Sequence, residues 1–108
     1  MNKNLIWLSY DLGPGGDYEG LYYWLDSHKA RECGDSVAAL DFSYSNDLIV
    51  SLKRDLKKNV QLRKKDRVYV IYSKDDGGLK GKFIFGGRKL APWKGYAETA
   101  EEGLEDVG

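Results

Sequence analysis

The chain has 108 residues, enough for one domain with a real core and too few for two. Its 17 Lys and Arg balance 17 Asp and Glu, and its one cysteine, Cys33, excludes an intramolecular disulfide. No apolar run approaches a membrane span, and no signal-peptide hydrophobic region follows Lys3, so a soluble protein of a reducing cytoplasm with no membrane partner is expected.

Leu5 to Tyr10 reads as a mostly apolar strand ending at Asp11, and the Gly13-Pro14-Gly15-Gly16 turn breaks it. A carboxylate at the end of a strand, before a glycine-rich turn into a helix, sits at the mouth of a sheet, where small α/β domains often keep their chemistry. Asp is also a good turn former, so Asp11 has a purely structural reading as well. From Asp17 to Lys29, Tyr18, Leu21, Tyr22 and Leu25 fall at i, i+3, i+4 and i+7, the apolar face of a first helix. Ala30 to Cys33 then suggests a short strand, Gly34 and Asp35 a tight hairpin turn, and Ser36 to Phe42 the returning strand. Cys33, on a strand, is expected to be a small core residue rather than a nucleophile.

Ser45 or Asn46 is placed to cap a second helix running to about Asn59, with Leu48, Ile49, Leu52 and Leu56 as its buried stripe. Arg67 to Tyr72 is the clearest strand, and after the Asp75 to Gly78 loop a short fifth strand spans Lys82 to Phe85. Beyond Pro92 little regular structure is expected, with Trp93 and Tyr96 as anchors. This order predicts an α+β fold: a ferredoxin-like βαββαβ sandwich over residues 1–96 with an additional short C-terminal strand. Residues 97–108 read as an acidic, disordered tail. In the first strand Ile6, Leu8 and Tyr10 face one side while Leu5 and Trp7 face the other, and the strand at 67–72 is also apolar on both faces. Two helices cover one side of such a sheet, so a second copy of the chain is the simplest cover for the other, and a homodimer is expected.

Charge is unevenly distributed. Residues 1–96 hold all 17 bases against 12 acids, and the last twelve residues hold five acids and no base. The run from Lys53 to Arg67 concentrates eight bases, Lys53, Arg54, Lys57, Lys58, Arg63, Lys64, Lys65 and Arg67, against Asp55 and Asp66, and the first seven are the candidate nucleic-acid contacts. Such clustering suits phosphate recognition, and a solvated helix face followed by a polar loop explains it equally well. Other sites can be set aside. His28 lacks partners for a zinc site and reads as a solvated or helix-terminal residue. The Gly13 to Gly16 turn lacks the Lys-Ser/Thr of a phosphate-binding loop, and Tyr18 stands where Gly-x-Gly-x-x-Gly needs its third glycine.

The run Tyr10-Asp11-Leu12, the Pro14-Gly15 turn, Asp17-Tyr18 with Leu21, the Asp35-Ser36 hairpin and Asp66-Arg67-Val68-Tyr69-Val70-Ile71 together resemble the second CRISPR-associated protein (Cas-two) and its relatives outside CRISPR loci, among them virulence-associated protein D. The resemblance covers residues 4–73. It implies a ferredoxin-like homodimer and, from some members, a metal-dependent nuclease for RNA or DNA. In those members the aspartate ending the first strand of each protomer faces a divalent ion at the dimer interface, and the matching residue here is Asp11. Asp11 shares strand parity with Leu5 and Trp7, so it projects toward the side assigned to the partner. Two carboxylates meeting there would repel unless protonated or bridged by a cation such as Mg²⁺.

Two functions follow from these readings. The favoured one is a non-catalytic dimeric adaptor that binds nucleic acid or protein through the basic run, because the sequence supplies one plausible metal ligand and no evident general base. The alternative is a Mg²⁺-dependent endonuclease in which paired Asp11 residues are catalytic and hold the metal, with Ser9, Tyr10 and Ser36 as nearby polar groups.

Overall fold

The computed structural model describes residues 1–98 and is α+β. The tail expected from residue 97 onward therefore lies, from residue 99, outside the described residues. The elements are β1 (Asn2–Asp11), α1 (Tyr18–Ser27), β2 (Arg31–Gly34), β3 (Val37–Tyr44), α2 (Leu48–Asn59), β4 (Arg67–Ser73) and β5 (Leu79–Phe85). They build one five-stranded sheet of order β2-β3-β1-β4-β5 in which every neighbouring pair is antiparallel. No helix among the described residues is long and apolar enough to cross a membrane.

Strand parity divides the sheet into two faces. Ile6, Leu8 and Tyr10 of β1 share one face with Ala38, Leu40 and Phe42 of β3, Val68 and Val70 of β4 and Ile84 of β5, and all are buried. Both helices close this face. α2 contributes Leu48, Leu52 and Leu56, with Ile49 only partly buried. α1 contributes Leu21, Trp24 and Leu25, whereas Tyr22, expected on the buried stripe, is exposed. Trp24 supplies more apolar area than Tyr22 could, and its one polar atom is satisfied because Nε1 donates to Asp55 Oδ2 at 2.7 Å.

Several boundaries differ from the sequence expectation, each for a local reason. α2 is capped by Asp47, whose carboxylate accepts from the Val50 amide at 2.9 Å, rather than by Ser45 or Asn46. Asn46 instead takes a left-handed φ of 68°, a conformation that Asn tolerates and that turns the chain into the helix. The hairpin turn is Asp35-Ser36, one residue later than Gly34-Asp35, and β5 begins at Leu79 rather than Lys82. Cys33 is exposed on the edge strand β2, not part of the core, because all four residues of that strand are solvent-facing. His28 ends α1 as expected. Its ring lies 4.2 Å from that of Trp24, and Nδ1 donates to the Trp24 carbonyl at 2.9 Å.

The two helices meet closely at Gly20. A Cβ there would lie 2.8 Å from the Asn59 carbonyl oxygen and would strike the Asp17 carboxylate. Asp17 uses both oxygens, one on the Gly20 amide at 3.0 Å and one on the Gln61 amide at 2.8 Å, which ties the start of α1 to the segment leaving α2. Those backbone bonds, Gln61 first and Gly20 second, hold the Asp17 carboxyl below its ordinary pKa.

Candidate functional site

Neither α1 nor α2 lies on the second face of the sheet. Ser9 stands opposite Val37 and Tyr69, Trp7 opposite Ala39 and Ile71, and Asp11 opposite Arg67. Tyr69 in turn faces Phe83, with ring centroids 5.0 Å apart and planes at 83°. Gly81 makes room for this arrangement, since a Cβ there would come within 2.7 Å of Tyr69 Cε1. Leu5 and Trp7 are half-buried, while Ile71 and Phe83 are exposed. An apolar surface thus occupies the middle of this face, and Asp11 and Arg67 close one end.

Asp11 is exposed and Arg67 donates from Nη2 to its Oδ2, so the carboxylate already has a cationic partner within its own chain. Among the described residues, no three of His, Cys, Asp or Glu cluster tightly enough to hold a metal ion. The donor set of one chain therefore does not fit Mg²⁺, which needs several oxygen ligands in near-octahedral geometry. Of the polar neighbours anticipated from sequence, Ser9 shares the Asp11 face. Tyr10 does not: its side chain is buried on the helix side, while its amide donates to the Ser36 carbonyl at 2.9 Å. Burial first, then the nearby Tyr22 and Glu32, raises the Tyr10 phenol above its ordinary pKa, so it stays protonated and is no general base.

The basic run spreads over α2 and the segment that follows it. Arg54, Lys57 and Lys58 are exposed on α2 at i, i+3 and i+4, and Lys53 is half-buried beside them. Lys57, Lys58 and Lys64 line an open concavity with Asp17, Asn59, Gln61 and Gly86, at the end of the molecule where β5 stops. Lys65 is exposed in the following turn. None of these six cations has an ion-pair partner among the described residues.

Arg63 behaves differently, and nothing in the basic pattern distinguishes it. Its Nη1 donates to the Pro14 carbonyl at 3.1 Å and Nη2 to the Leu12 carbonyl, while Nε and Nη2 reach Asp66 Oδ1 at 3.2 and 2.9 Å. Its backbone amide donates to Asp66 Oδ2 at 2.7 Å. Asp66 is fully buried. Burial works to raise the Asp66 pKa, but the Arg63 hydrogen bonds and charge, with help from Lys65, outweigh it and hold the carboxyl below its ordinary value. The Arg63 guanidinium thus fastens the turn after β1 to the turn before β4, with its donors directed inward.

Comparison with protein-family models, with curated proteins and with solved structures finds no match to this chain.

Proposed function

We propose that this chain is a ferredoxin-like homodimer that acts as a non-catalytic nucleic-acid-binding adaptor. The observation that carries the reading is the group Arg54, Lys57, Lys58 and Lys64, exposed and without acidic partners among the described residues, three of them around one open concavity. Lys57 and Lys58 also sit in the last turn of α2, where a cation is favoured by the helix dipole, but that does not account for Arg54 or Lys64. Cations held unpaired toward solvent are what displacement of condensed counterions from a phosphate backbone requires. The element order and the sheet order β2-β3-β1-β4 support the ferredoxin-like assignment. The uncovered patch of Leu5, Trp7 and Ile71 supports a second copy as its cover. The Mg²⁺-dependent nuclease stays second, because it needs the Asp11 of a partner chain and release of Asp11 from Arg67.

The test is the salt dependence of binding to labelled duplex DNA, measured by fluorescence anisotropy. Affinity should fall steeply with salt, and neutralising Lys57, Lys58 and Lys64 together should reduce the logarithmic slope by about 0.9 per lost phosphate contact. Absence of binding at low salt, or a slope indifferent to these lysines, overturns the reading.

A further inference from the structure

The end of the uncovered sheet face holds a pocket that the adaptor reading does not use. After β5, Gly86 and Gly87 take φ values of 64° and 143°, and a side chain at Gly86 would strike the Asp66 carbonyl. This turn sends the chain back toward the face, where Arg88 and Trp93 line a pocket of about 530 Å³ with Asp11, Arg67, Tyr69 and Phe83. That volume falls inside the range of about 300–1,000 Å³ usual for small-ligand sites.

The lining has two parts. Tyr69, Phe83 and Trp93 form an aromatic wall, and Phe83 and Trp93 are 44% and 74% exposed, so much of their apolar surface is left open among the described residues. Arg88 has no ion-pair partner among the described residues, and it lies where the Asp11–Arg67 pair has already cancelled its own charge. We infer that this pocket takes one nucleotide unit: its base against the aromatic wall and its phosphate on Arg88. The Asp11–Arg67 pair orients it. Asp11 Oδ1 has no hydrogen-bond partner among the described residues and is an acceptor beside the Arg67 donors, which suits the adjacent donor and acceptor groups on a base edge. The Asp11 carboxylate also repels a phosphate, which places the anion at the Arg88 end. Stacking of this kind is tolerant of sequence because every base presents a π-face.

The inference rests in part on the adaptor reading. The cationic concavity reaches Gly86 and the aromatic pocket reaches Arg88, two residues further along the chain after β5, and both would take phosphate. The same chemistry is offered by a free mononucleotide and by a nucleotide within a single strand.

Calorimetric titration with adenosine monophosphate, ribose 5-phosphate, short oligo(A) and an abasic strand of the same length separates these cases. Trp93→Ala removes a mostly exposed ring, so the fold is not at risk, and it should weaken the purine ligands on the order of ten-fold or more. Arg88→Ala should weaken both phosphate-bearing purine ligands as well. Ribose 5-phosphate, which lacks the ring, should not bind, and the abasic strand should bind more weakly than oligo(A). Binding of the mononucleotide identifies a free-nucleotide site, and binding of oligo(A) alone identifies a site within a strand. Strand binding that depends on Lys57, Lys58 and Lys64 but ignores Trp93, Arg88 and the presence of bases overturns this inference and leaves the adaptor reading intact. Trp93-dependent mononucleotide binding without salt-sensitive binding of duplex DNA does the reverse. No binding of any purine ligand overturns this inference, and absence of duplex binding at low salt overturns the adaptor reading.

Discussion

Arg67 donates to the Asp11 carboxylate across the register pair that joins the end of β1 to the start of β4. The acid that the sequence singles out as a metal ligand is thereby one half of an ion pair, with side-chain exposures of 58% for Asp11 and 24% for Arg67. A pair so open to solvent contributes only about 0.2–1 kcal/mol. Asp11→Asn should therefore cost no more than about 1 kcal/mol in chemical denaturation, since the amide oxygen still accepts from Arg67. The same variant decides between the two functions. Wild-type protein that cleaves RNA or DNA with Mg²⁺, and loses that activity on Asp11→Asn, overturns the adaptor reading in favour of the nuclease.

The elements were largely legible because their signals are local. Apolar runs rich in β-branched and aromatic residues marked β1 and β4, the i, i+3, i+4 pattern marked both α1 and α2, and the turn residues separated them. What was not legible depends on partners distant in sequence. Trp24 displaces Tyr22 from the α1 stripe because Asp55, on the other helix, accepts from its indole. Arg63 looks like its lysine neighbours until the fold brings the Leu12 and Pro14 carbonyls to it. Cys33 lies outside the core, and a strand assignment by itself does not say whether the strand is at an edge. Of the candidate site, Asp11 and the exposed lysines could be named from sequence. The aromatic pocket could not, since Ser9, Tyr69, Phe83 and Trp93 converge only through pairing across three strands and the turn at Gly86 and Gly87.

The uncovered face yields a prediction about assembly. Trp7 and Ile71 are cross-strand neighbours in its apolar middle, and Ile71 is 38% exposed. A stable pair of chains meeting there should bury on the order of 1,600 Å² in total. Sedimentation at micromolar concentration should give a dimer, and Ile71→Lys should give a folded monomer because a charge would be buried without a partner. A wild-type monomer removes the homodimer from the proposal.

Two glycines should respond unequally to alanine. At Gly20 the added Cβ meets the Asn59 backbone carbonyl at 2.8 Å and the Asp17 cap, neither of which can retreat without separating the helices. Overpacking of this kind typically costs about 1–3 kcal/mol. At Gly81 the obstruction is the outer part of the Tyr69 ring, a side chain able to swing toward solvent. Gly81→Ala should leave stability within about 1 kcal/mol, and the altered Tyr69 environment should be visible in its ring resonances. Equal losses at the two positions would contradict this account of the packing.

The Arg63–Asp66 clamp makes the stability of the fold depend on acid. Asp66 is fully buried and accepts hydrogen bonds from the Arg63 amide and guanidinium, which also tether the turn at Leu12 and Pro14. Its folded pKa is depressed, so the stability it contributes is fully present above the unfolded value of about 3.9 and is lost as pH falls through the lower folded value. Unfolding monitored by circular dichroism should therefore show a proton-linked loss of stability below about pH 4. Arg63→Ala leaves a buried carboxylate without its cation and should cost about 3–5 kcal/mol at neutral pH. Arg63→Lys should recover only part of that, because an ammonium cannot span Asp66 and the two carbonyls as the planar guanidinium does. In Arg63→Ala the Asp66 carboxyl should titrate higher, so its stability should rise rather than fall as pH drops from 7 toward 5. A variant whose stability declines with acid as the wild type does would show that Asp66 is held by its surroundings and not by Arg63.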